Sequence, residues 1–112
     1  GANVVGLVRG TRRADRYLVV TAHYDHLGRE GGVLFPGSDD NASGTAALLA
    51  MARVVAASPT EHSVLFVATD AEERGLLGAR AFVADPPVPR TAIAVNVNLD
   101  MVSRASDGVL WA

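Results

Sequence analysis

The chain contains no cysteine. That excludes a disulfide framework and any thiolate metal site, while leaving the compartment open. It also lacks any apolar run near the roughly 20 residues needed to span a bilayer, and its start shows no signal-peptide pattern. Charge is scarce. Charged residues make up 20% of the chain against 49% hydrophobic, and the formal net charge is −2. That balance favours a packed core over disorder. The one basic grouping, Arg9, Arg12, Arg13 and Arg16, reads as a solvated hairpin turn, and nucleic acid is not expected as a partner. Repeats and low-complexity segments are absent. At 112 residues there is room for one domain and not two.

What is present reads as alternating strands and helices. "NVVGLVRG" (3–10) is a Val-rich strand ending in glycine, and "RRAD" (12–15) is a polar turn. "RYLVVTAHY" (16–24) is nearly all apolar, the pattern of a strand covered on both faces. Glycines and Pro36 then break every period, so residues 25–41 form a long loop, a length usually kept for function. "SGTAALLAMARVVAAS" (43–58) is apolar all round and predicts a buried helix, with Asp40, Asn41 or Ser43 near its N-cap. A strand at 62–69, a helix at 75–85 stopped by Pro86 and Pro87, and a strand at 91–101 follow. The fold class is α/β: a layered sheet with mostly parallel strands flanked by helices.

Such sheets bind ligands outside the carboxyl ends of their strands. His23 and Asp25 follow the second strand, Asp70, Glu72 and Glu73 the third, and Asp100 ends the fourth. Asp39 and Asp40 precede the first long helix, which starts at the same edge. Taken singly, each has a plainer reading: a cap, a turn former, a core histidine or a solvated face. Together they crowd one rim with carboxylates and an imidazole, without a neighbouring run of Lys or Arg. A bound cation with nitrogen and oxygen ligands makes that crowding tolerable.

Four blocks in order, "TAHYDHLG", "PGSDDNASGTAALL", "DAEERGLLGARAFV" and "NLDMV", resemble the co-catalytic zinc aminopeptidases of peptidase family M28. The resemblance runs from about Asn3 to the C-terminus. It implies two zinc ions per complete site, with His23, Asp39, Glu73 and Asp100 as ligands and Asp39 bridging. It implies Glu72 as general base, Asp25 as the group that orients His23, and a cis peptide between Asp39 and Asp40. The implied reaction is metal-assisted hydrolysis of peptides at their amino-terminal residues, so a peptide is the expected partner. Asp70, His26 and His62 have no place in the family pattern and read as structural.

The family's fifth ligand is a His far downstream, which does not occur before Ala112. Residues 1–112 are therefore expected to be the N-terminal part of a peptidase domain, a truncated zinc-exopeptidase-like unit. By itself this part is expected to hold one zinc well and to be inactive. Relatives lead to an expectation of a secreted or periplasmic protein. The competing readings are a metal-poor or metal-free scaffold on the same fold, and a glutaminyl-cyclase-like or carboxypeptidase relative.

Overall fold

A computed structural model of the protein describes residues 1–104; the closing "DGVLWA" lies outside them. Strands β1 (Val4–Val8), β2 (Arg13–His23), β5 (His62–Thr69) and β6 (Ile93–Asn98) form one sheet in the order β1-β5-β2-β6. Two short strands, β3 (Arg29–Glu30) and β4 (Val33–Leu34), pair antiparallel within the long loop. Helices α1 (Ala42–Ala57) and α2 (Leu77–Ala84) provide the connections, with a short 3-10 turn at Arg90–Ala92 before β6.

β2 runs parallel to both β5 and β6, and β1 runs antiparallel to β5. This corrects the hairpin reading of the basic segment, because β5 lies between β1 and β2. It also corrects the "RRAD" turn, since β2 already begins at Arg13 and carries an irregularity before Tyr17. The second half of β2 and most of β5 are the buried stretches of the sheet, so placing them side by side covers both at once.

The alternation of side chains along β2 and β5 divides the core into two faces. Val20, Ala22, Val64 and Phe66 pack with Leu48 of α1 on one face. Val19, Leu65 and Val67 pack with Phe82, Val88 and Ile93 on the other. Each fully buried aliphatic side chain contributes about 1.5–3 kcal/mol. The expectation of a fully buried α1 needs correction. Its covered stripe runs through Gly44 and Leu48, while Leu49, Met51 and Val54 are exposed. A helix apolar on all sides gives no periodic signal for which stripe meets the sheet.

β2 and β5 end side by side, at His23 and Thr69, and β6 stops at Asn98, two residues short of Asp100. α1 starts at the same edge, where Asn41 fixes the joint. Its side-chain oxygen accepts from the Gly44 and Met101 N–H groups, and its amide donates to the His23 and Leu99 carbonyls. Gly44 permits this approach, because a Cβ there would collide with Asn41 and with the Leu99 carbonyl. One side chain thus ties the ends of two parallel strands to the start of a helix.

Candidate metal centre

His23 is the last residue of β2 and is buried among strand ends. Its Nδ1 lies 3.2 Å from the Asp25 carbonyl and 3.5 Å from Asp25 Oδ1. That side of the ring is therefore held by the turn that follows the strand. The other nitrogen, Nε2, lies 3.1 Å from Asp40 Oδ1 and 3.5 Å from Asp100 Oδ1. A second group stands beside the first: His26 Nδ1 is 3.1 Å from Glu73 Oε1. Ligand atoms from His23, Asp40 and Asp100 lie within 4.8 Å of one another, as do those from His26, Asp40 and Glu73. Asp40 belongs to both.

Asp25 does more than face the imidazole. Its two carboxylate oxygens accept from the backbone N–H groups of Glu72 and Glu73, at 2.9 and 3.2 Å. The Glu72–Glu73 turn is thereby fixed from the end of the neighbouring strand. Ala71 enters this turn with φ of 54°, in the left-handed region. Glu73 reaches His26, while Glu72 acts electrostatically on His23, so the adjacent glutamates serve different groups.

The charges perturb one another. Burial lowers the pKa of His23, but the Asp100 and Glu72 carboxylates, the Asp25 backbone and Asp40 outweigh it, and the net shift is upward from 6.5. Glu72 is raised from 4.5, first by burial and then by Glu73, Asp100 and Asp25, against the opposing pull of His23. The Asp39 carboxyl is held below 3.8 chiefly by its hydrogen bond from the Ser103 hydroxyl.

The structure brings together His23, Asp25, Glu72, Glu73 and Asp100 as the sequence predicts. Asp39 departs from expectation. Its carboxylate accepts from the Ser103 hydroxyl at 2.6 Å and the Ser43 hydroxyl at 3.3 Å, away from His23. The shared position belongs to Asp40, and the cis peptide joins Asp40 to Asn41, one residue beyond the expected bond. Nothing in "SDDN" marks which of two adjacent acids turns inward; the loop's path decides. His26, read as structural, stands in the second group. It lies in the loop three residues beyond the end of β2, where the sequence gave no signal for it. Asp70 accepts from the Ala2 and Ala71 N–H groups, and His62 lies at the opposite end of β5, so both remain outside the centre.

The sequence model of peptidase family M28 matches residues 3–112, and the chain belongs to that family. It is 38% identical over 104 residues to the aminopeptidase YwaD of Bacillus subtilis, covering 89% of this chain and 21% of that protein. To a probable zinc metalloprotease of Pyrenophora tritici-repentis it is 35% identical over 112 residues, covering 94% of this chain and 25% of that protein. The solved structure of BSAP, a zinc aminopeptidase from Bacillus subtilis, superimposes with a TM-score of 0.73 at 36% identity, over 89% of this chain and 24% of that one. The chain thus spans about a quarter of the length of these relatives.

Proposed function

We propose that the protein carrying this chain is a zinc-dependent aminopeptidase, and that the rim described above is the larger part of its active site. The observation that carries this reading is the position of Asp40, common to two histidine–carboxylate groups with Glu72 beside them. The donor set fits zinc. It combines imidazole nitrogen with carboxylate oxygen, and His23 Nε2 at 3.1 and 3.5 Å from the Asp40 and Asp100 carboxylates suits atoms converging on a single small ion. In this reading His23, Asp40 and Asp100 hold one ion, and Asp40 and Glu73 hold the other. When bound, zinc supplies Lewis-acid polarisation of the peptide carbonyl and lowers the pKa of water.

The protein's own groups do the rest. Asp25 holds His23 with Nε2 directed at Asp40 and Asp100, and it fixes the backbone from which Glu72 projects. Glu72 accepts a proton from the water that attacks the peptide carbonyl and returns it to the departing amine. Its raised pKa suits both steps, since a base nearer neutrality also delivers a proton more readily. The test compares two neighbours in the intact protein. Glu72→Gln should retain its zinc and lose about 10²–10⁴-fold or more in turnover of an aminoacyl anilide. Glu73→Gln should lose zinc. Equal zinc loss in both variants would show these roles to be wrongly divided.

A further inference from the structure

We propose that His26 is a positioning residue for Glu73: its Nδ1–H donates to Glu73 Oε1 and aims the carboxylate toward Asp40 without itself binding the ion. The inference rests on the reading of Glu73 as a zinc ligand. It starts from the 3.1 Å separation of Nδ1 and Oε1. An ionised carboxylate can only accept, so the proton of this bond sits on Nδ1, and that nitrogen has no lone pair left for a metal.

Two further observations separate His26 from His23. A metal-bound histidine nearly always has its second ring nitrogen held by a carboxylate, carbonyl or water. His23 meets that pattern, with Nδ1 against Asp25 and Nε2 facing Asp40 and Asp100. His26 does not: among the described residues its one hydrogen-bond partner is Glu73. The ring is also seated. Gly37 has φ of +70°, and a Cβ there would stand 2.7 Å from His26 Cδ2, so the glycine leaves room for the imidazole to lie against the loop. Glu73 is thus fixed at both ends, its N–H by Asp25 at 3.2 Å and its carboxylate by His26. A flexible three-torsion side chain is thereby set before any ion arrives.

The experiment measures zinc content and affinity of the intact protein against a chromogenic chelator, for His26→Ala, His26→Asn and Glu73→Gln. His26→Ala should weaken the less tightly held zinc by about 10–100-fold, the usual cost of losing a group that supports a ligand. His26→Asn, whose amide can still donate to Glu73, should recover most of that loss. Glu73→Gln should lose the same ion outright. The thermal midpoint of the chelated protein should be alike in wild type and His26→Asn, which separates positioning from general stability. Unchanged zinc affinity in His26→Ala overturns the proposal. So does a His26→Asn variant that loses the ion as fully as Glu73→Gln, because His26 is then itself a ligand. Retention of both ions by Glu73→Gln removes the reading on which the inference stands, whatever the His26 variants do.

Discussion

Asp39 and Asp40 are chemically the same residue, and the fold sends them to different tasks. Asp39 turns back to two serine hydroxyls and fastens the loop to Ser103, while Asp40 faces His23 across 3.1 Å. The expected outcome of exchanging each for asparagine is correspondingly unequal. Asp40→Asn removes the carboxylate common to both groups and should weaken zinc by more than the roughly 10–100-fold cost of a supporting residue. Asp39→Asn should leave zinc content unchanged. Metal analysis of the two purified variants decides it, and the reverse pattern would return the bridging position to Asp39. This residue pair also shows what was legible. The types His, Asp and Glu at strand ends announced a cation, and five of the six expected site residues stand at the rim. Which of two adjacent identical acids points inward depends on a loop path that composition does not encode. His26 was obscured for a related reason: a lone histidine in a glycine-rich loop has no periodicity to place it.

At the scale of elements, the alternation of apolar runs with helical stretches was enough to forecast four strands, mostly parallel, and two helices. It could not say that β1 would cross to the far side of β5, because either neighbour offers β1 an equally apolar partner. The joint at Asn41 was visible only as a cap. The structure shows the same side chain bonded to β2, to the turn after β6 and to α1, with 2% of its surface exposed. Asn41→Ala should therefore cost more than a cap. Losing the cap is worth about 0.5–2 kcal/mol, and each buried group left unpaired adds about 1–3 kcal/mol. A combined loss of at least about 2 kcal/mol is expected from denaturant midpoints. Zinc affinity should fall with it, since His23 and Asp100 are held apart at the correct spacing by that joint. A loss under about 0.5 kcal/mol, the scale of an ordinary surface change, would mean that water or backbone adjustment replaces Asn41.

For the whole molecule, the rim draws charged groups from the ends of β2, β5 and β6 and from the start of α1. A ligand that binds the folded protein and not the unfolded chain stabilises it by about 2.7 kcal/mol at a hundred times its dissociation constant. Zinc joining these strand ends should do the same, and a chelator should remove the gain. The pH dependence follows from His23. In the absence of metal its pKa is raised above 6.5, because the Asp100 and Glu72 carboxylates, the Asp25 backbone and Asp40 outweigh the effect of burial. A group with a raised folded pKa lends stability that is complete below its unfolded pKa and disappears as pH rises through the folded value. The chelated protein should therefore lose stability as pH rises above 6.5. Zinc takes the place of that proton, so the zinc-loaded protein escapes the loss, and zinc competes better as the proton leaves. The difference in thermal midpoint between zinc-loaded and chelated protein should widen with pH across this window. His23→Asn, which cannot exchange a proton for a metal, should flatten the chelated curve. A gap that stays constant or narrows from pH 6.5 upward in the wild type would show that zinc displaces no proton from His23.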